Sequence, residues 1–261
     1  MNDFYVGYLP KAPTTLARFI RRIILLLGFI AVAVSIALVM GQMPFAKSAF
    51  EYGEARQFEG IIDARPYPEL LVARPGEVGK GEKHSQYLLV APGKHGADYL
   101  VAGFDGKEVR LKGQLIYREN ETMIEIEPGS IVPLNSSPAP QARTDDLGAV
   151  TLTGEIVDSK CYLGVMNPGN GKVHRDCAAR CISGGIPPIF VSLDGDQRFL
   201  LVGPDGSAIG RDALRDFVAE PITITGEALQ RGESRLLRVD PRMLHHKSND
   251  VEAELRTHAS K

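Results

Sequence analysis

The chain has 261 residues, with 30 Lys+Arg against 32 Asp+Glu, a formal net charge of -2 and 44% hydrophobic residues. This composition excludes a disordered chain, a collagen-like chain and a polytopic membrane protein. It also excludes a nucleic-acid binder that works through bulk charge, since no basic excess exists to meet phosphates. The 3 cysteines are too few for a disulfide scaffold, and an odd number cannot all pair within one chain.

Residues 1–22 hold Lys11, Arg18, Arg21 and Arg22 against Asp3 alone. Residues 23–46, IILLLGFIAVAVSIALVMGQMPFA, carry no charge. A helix needs about 20 apolar residues to cross a bilayer core. The apolar residues lie on all sides, so the run predicts a transmembrane helix and not an amphipathic surface helix. A cleaved signal peptide has a shorter apolar region and a small-x-small site, and Pro44-Phe45-Ala46 is a poor one. Glu51, Glu54 and Glu59 follow the run, with Lys47 and Arg56 among them. The positive-inside rule then predicts a cytoplasmic N-terminus, insertion in the inner (plasma) membrane, and a periplasmic or otherwise extracytoplasmic remainder.

That remainder divides into residues 50–133 and 149–244, joined by a Pro/Ser/Ala-rich segment over 134–148 that reads as a linker. The two stretches share features in the same order. Phe58-Glu-Gly60 answers Leu152-Thr-Gly154, and Tyr87-Leu-Leu-Val-Ala91 answers Phe199-Leu-Leu-Val-Gly203. Val109-Arg-Leu-Lys-Gly113 answers Ile222-Thr-Ile-Thr-Gly226, and Met123–Glu127 answers Leu236–Asp240. These segments alternate apolar and polar residues and predict half-buried strands. In the second stretch, Leu214, Phe217 and Val218 fall at helical spacing and predict a short helix over 211–220. The matching slot of the first, His95–Gly103, has a weaker helix signal and reads equally as a turn and strand. Three strands, a helix and two strands resemble the OB-fold, a five-stranded Greek-key barrel. The expected fold is therefore mainly β: one N-terminal transmembrane helix followed by two tandem OB-like small β-barrels. OB-folds often bind single-stranded nucleic acid. Here the neutral charge, the expected location and the absence of Trp argue against that partner.

The chemistry concentrates in residues 158–188 of the second stretch, an insertion that holds all three cysteines. The corresponding loop of the first stretch, 64–83, has none. Val173–Ile182 lacks Gly and Pro and is stopped by Gly184-Gly185, so it predicts a helix. On it His174, Cys177 and Cys181 stand at i, i+3 and i+7, on one face. Cys161 lies just past the first strand and can fold over the same face, with Met166 at the rim. Three thiolates and an imidazole suit tetrahedral zinc. A Cys/His/Met set also suits Cu(I). The candidate metal ligands are thus Cys161, His174, Cys177, Cys181 and Met166, with a zinc or copper ion as cofactor. The competing reading is a disulfide from Cys161 to Cys177 or Cys181, with one spare thiol, as an oxidising compartment favours. A Cys177–Cys181 bond within one helix meets the disulfide dihedral poorly. No general base or nucleophile arrangement is evident, so no catalytic residue is assigned. Asp63 and Asp158, in matching positions after the first strand, read as turn caps. The polar tail over 245–261 adds only surface histidines.

The pattern D-x-x-C…M-x-P-G-x-G-x-x-H-x-x-C-A-x-x-C-x-x-G-G-x-P-P over residues 158–188 resembles a segment of uncharacterised bacterial membrane-anchored proteins with a periplasmic OB-like domain. That resemblance implies a bacterial, exported protein and no particular activity. Two functions follow from these readings. The first is a membrane-anchored metal or redox protein serving electron transfer, metal delivery or assembly of a membrane redox complex, with the first barrel as spacer or docking surface. The second is a non-catalytic module that binds another membrane or periplasmic protein, its cysteines stapling the loop.

Overall fold

The computed structural model describes residues 13–42, 48–74, 84–134, 143–210 and 212–246. Residues up to Ala46 form one compact unit and residues from Lys47 onward another. The first unit is the helix α1 (Thr14–Gln42). It begins well before Ile23, because Arg18, Arg21 and Arg22 are good helix formers and extend the apolar run. Its span Thr14–Gly41 is long and apolar enough to cross a membrane, with none of its most apolar window buried.

The second unit is mainly β. Its elements run β1 (Ser48–Phe50), β2 (Arg56–Asp63), β3 (Glu69–Ala73), β4 (His84–Ala91), β5 (His95–Gly96), α2 (Asp98–Val101), β6 (Glu108–Arg118), β7 (Glu121–Ile126) and β8 (Val132–Pro133). They continue with β9 (Thr144–Asp158), α3 (Arg175–Ser183), β10 (Pro188–Ser192), β11 (Arg198–Val202), β12 (Ile222–Arg231), β13 (Ser234–Arg238) and β14 (His245–His246). In the first barrel β2 pairs with β3, β3 with β4, β4 in parallel with β7, β7 with β6, and β6 back with β2. In the second, β9 pairs with β10, β10 with β11, β11 in parallel with β13, β13 with β12, and β12 back with β9. Both are closed five-stranded barrels with the same OB-like order. Closure removes free strand edges from each barrel.

The shared glycines have one structural reason in both copies. Gly60 and Gly154 lie where the first strand crosses the second. A Cβ would strike the Leu71 carbonyl at Gly60 and the Val191 carbonyl at Gly154. Gly113 and Gly226 lie where the fourth strand crosses the fifth. There a Cβ would strike the carbonyls of Glu125 and Arg238 respectively. Small barrels need such points of close backbone approach to bend their strands round.

Several boundaries differ from the sequence reading. Thr144–Gly148, expected within the linker, belongs to β9 and pairs with β12 from Arg231 to Ala228. That ladder stays exposed on its outer part, so its residues are polar and carry no apolar alternation. In the second barrel the expected helix over 211–220 is only a 3-10 turn, Arg215–Phe217. Pro221 follows and disfavours helical backbone at Glu220. The true helix is in the first barrel, α2, where the signal was weaker. His245 and His246, expected in the tail, pair with Ile222 and Thr223. Residues 1–12 of the expected cytoplasmic N-terminus, 43–46 of the expected transmembrane run, 135–142 of the expected linker and 247–261 of the expected tail lie outside the described residues.

Each barrel has its own interior. Ile62, Leu89, Leu111 and Ile124 fill the first. Ile156, Phe190, Leu201 and Ile224 fill the second. A third apolar cluster joins the barrels: Tyr67, Val90, Ile116 and Met123 of the first meet Tyr162, Leu163, Ile186 and Leu236 of the second. Polar contacts ring it. The Tyr67 hydroxyl donates to the Leu201 carbonyl at 2.7 Å and accepts from the Ile209 N–H at 3.3 Å. Arg231 bridges Asp63 at 2.5 Å, and Ser234 donates to Glu69 at 2.9 Å.

Glu69 is buried at this junction, and burial pushes its carboxyl up to about 7 against the opposing pull of Ser234 and Arg231. A carboxyl raised in the folded state contributes stability that is complete below its ordinary value near 4.5 and is lost as pH rises through about 7. Stability measured by denaturant midpoint should therefore fall more between pH 5 and pH 8 in the native protein than in Glu69→Gln, which cannot ionise.

Candidate metal centre

The insertion between β9 and β10 begins at Asp158, whose carboxylate Oδ1 accepts the Cys161 N–H at 2.8 Å. This is the turn cap expected of that position. Asp63 plays the same part in the first barrel, accepting the Arg65 N–H at 3.3 Å. The chain then makes an irregular turn over Cys161–Val165. The Glu155 carboxylate anchors the next turn, accepting from Asn170 Nδ2 at 2.9 Å and the Gly171 N–H at 2.8 Å. A 3-10 turn, Lys172–His174, leads into α3, which ends at Gly184. The helix is the one expected from Val173–Ile182, entered one turn more tightly.

This arrangement brings three thiols together. Cys161 Sγ lies 4.0 Å from Cys177 Sγ and 4.0 Å from Cys181 Sγ. All three sulfurs fall within 4.8 Å of one another and can hold a metal ion. Tetrahedral coordination with Zn–S near 2.3 Å sets sulfurs about 3.8 Å apart, close to the 4.0 Å of the two pairs through Cys161. Cys161 and Cys181 are buried, Cys177 is half-buried, and all three are free.

His174 takes a different place from the one its helical spacing suggested. Its ring Nε2 is 3.0 Å from Asp158 Oδ2, with both side chains buried. It groups with Asp158 and Cys161, and not with Cys177 and Cys181. Cys161 is thus common to two clusters of ligating atoms. The cause is local: His174 ends the 3-10 turn and precedes the first full turn of α3, so its direction departs from the ideal i, i+3 relation to Cys177. Met166 is 43% exposed. Its backbone N–H donates to the Cys161 carbonyl at 3.2 Å, but its side chain lies at the surface.

The first barrel completes the site. Lys94, in the hairpin turn between β4 and β5, places Nζ 2.7 Å from Cys177 Sγ and 3.8 Å from Cys181 Sγ. The bond to Cys177 raises the Lys94 amine above its ordinary value, so it stays an ammonium. Cys161 and Cys181 split. Donation to Cys181, then burial, pushes the Cys161 thiol up. Accepting from Cys161 holds the Cys181 thiol down against burial, with the Lys94 charge assisting. Lys94 thus sets an ammonium beside the trio, in which Cys161 is harder to deprotonate than Cys181.

Lys160 ties this site to the first barrel. It is buried and forms an ion pair with the buried Glu125 of β7. It also donates to the carbonyls of Ala91 at 2.8 Å and Gly93 at 2.7 Å. Glycines permit the close fit. A Cβ on Gly184 would strike the Lys94 carbonyl, and one on Gly96 would strike the Gly185 carbonyl. A Cβ on Gly164 would strike the Ala49 carbonyl. The Gly96 N–H donates to the Gly184 carbonyl at 3.0 Å. Neither Lys94 nor Lys160 was singled out from sequence. Lys94 stands in an ordinary Pro-Gly-Lys turn, and only the barrel-to-barrel contact brings it to the cysteines.

Comparison of the chain with protein-family models, with curated proteins and with solved structures gives no match in any of the three. The molecule itself therefore carries the functional reading: two closed barrels of one topology, with a three-thiol group at their junction.

Removing the Lys160 charge leaves Glu125 buried and unpaired, which costs about 3–5 kcal/mol. Lys160→Met should lower the denaturant midpoint by that order, and adding Glu125→Leu should recover most of the loss.

Proposed function

We propose that this is a single-pass, membrane-anchored metal-binding protein of a bacterial periplasm, whose barrel pair carries a zinc or copper ion on Cys161, Cys177 and Cys181 for delivery to a membrane or periplasmic partner. The observation that carries this reading is the convergence of three sulfurs, each pair through Cys161 at 4.0 Å. Soft thiolates select zinc and Cu(I) over the hard cations. Three protein ligands rather than four leave one position open, which suits an ion that must be passed on and not one that only staples a fold. The half-exposed Cys177 supports entry from that side. Lys94 offsets the negative charge that three thiolates and one divalent ion leave behind. His174 and Asp158 stand behind Cys161, where a hydrogen-bonded acid and imidazole help to fix a ligand's orientation.

The anchor and its direction rest on α1 and its flanking charges. Basic residues lie before α1 and in its first turns, and acidic residues outnumber basic ones just after it, which supports a cytoplasmic N-terminus. The resemblance of residues 158–188 to bacterial membrane-anchored proteins supports the same compartment.

The full chain purified in detergent should contain one zinc or copper ion per chain, and three reactive thiols should appear after chelation. Cys161→Ser should weaken binding by at least tenfold in a competition titration. A metal-free protein with a single reactive thiol would overturn the reading.

A further inference from the structure

We propose that Lys94 and Cys177 are a redox-controlled clasp, joined on oxidation by a covalent Nζ–O–Sγ bridge between the two barrels. The odd cysteine count motivates the question of what serves Cys177 when no ion is bound. Its sulfur lies 4.0 Å from Cys161 Sγ but only 2.7 Å from Lys94 Nζ. That separation is shorter than an ordinary N–H···S hydrogen bond. It matches the span of an N–O bond followed by an O–S bond at a bent oxygen.

The amine is held there by its surroundings. The hairpin that carries Lys94 is clamped on both sides of the residue. Lys160 binds the Ala91 and Gly93 carbonyls before it, and Gly96 bonds to the Gly184 carbonyl after it. Gly184 immediately follows α3, the helix that bears Cys177. Both backbones are thus fixed close to the reacting atoms, and proximity of this kind replaces the entropy cost of bringing two groups together. Access also differs among the three thiols. Cys177 is half-buried and Lys94 exposed, whereas Cys161 and Cys181 are buried against each other. Thiol oxidation follows exposure and a neighbouring cation, both of which favour Cys177.

The oxidant is dioxygen, and the step balances as one ammonium, one thiol and one O2 giving the bridge, one water and one proton released to solvent. Once the ammonium has given up that proton, one N–H and one S–H bond break, together with the O–O bond. One N–O and one O–S bond form. Nitrogen and sulfur each give up two electrons. One oxygen atom becomes the bridge, and the other leaves as water with the two hydrogens. A thiol reductant reverses the link at sulfur. The bridge takes Cys177 from any bound ion, so the cross-linked and metal-loaded forms exclude each other. The inference itself rests on the Lys94–Cys177 geometry and not on the metal reading.

The test is a peptide map of the full chain in detergent, stripped with a chelator and then held under oxygen or under nitrogen. Under oxygen, the peptide of Lys94 should appear joined to that of Cys177. Its mass should be the sum of the two plus one oxygen less two hydrogens, and thiol reductant should release it. Lys94→Arg and Cys177→Ser should abolish this species, and Cys181→Ser should retain it. Cysteines found only as disulfides or oxyacids, with Lys94 unmodified in the native chain, would overturn the clasp whatever the variants do. Metal content measured before stripping is a separate readout, so either proposal can fail while the other stands.

Discussion

The arrangement of this molecule depends on one buried charge crossing between two barrels. Lys160 leaves the second barrel beside its cysteine loop and ends inside the first, between Glu125 and the carbonyls of Ala91 and Gly93. A buried ammonium is tolerable only where each of its hydrogens has an acceptor, and here a carboxylate and two carbonyls provide them. That requirement fixes where the insertion sits on the first barrel. The neighbouring contacts follow from it: Gly164 against Ala49, Gly184 against the Lys94 hairpin, and Arg118 over the Tyr162 ring at 4.2 Å.

This constraint gives the first barrel a chemical part. A duplicated domain without cysteines reads as a spacer when taken alone. Docked, it supplies an ammonium to the sulfurs of its sister, along with the apolar floor of Val90, Ile116 and Met123 beneath the loop. The three-thiol group is thus a product of the pair. Its surroundings are ordered: the Lys94 ammonium at the exposed edge, and the buried side chains of Asp158 and His174 behind Cys161.

The two barrels also show which features belong to the fold and which to the chemistry. Gly60 and Gly154, and Gly113 and Gly226, recur because a small barrel must bring backbones together at the same two crossings. Asp63 and Asp158 recur because both close the turn after the first strand. At Asp158 the second carboxylate oxygen is then free to meet His174, whereas at Asp63 it meets Arg231 across the junction. The same cap has been put to two uses, and only the loop that follows differs.

Much of this was legible in the sequence, for physical reasons. An uncharged apolar run specifies a long helix because nothing else satisfies its backbone. Period-2 alternation and the repeated glycines specify four matched strands in each copy in one order, because a half-buried barrel wall imposes both. Three cysteines crowded into one loop specify a thiol cluster, since a short loop and helix cannot separate them widely. The exposed start of β9 was not legible, because a ladder that buries nothing leaves no pattern. The partner of His174 was not legible either, because a tight 3-10 turn shifts a side chain that ideal helical spacing would aim at Cys177. Lys94 and Lys160 were hidden altogether. Their partners lie 83 and 35 positions away or more, as with Cys177 and Glu125, and sequence spacing says nothing about a contact between two domains. What the sequence determined by itself is what local pattern encodes: the helix, the strands and the thiols. What surrounds those thiols was decided only when one barrel closed on the other.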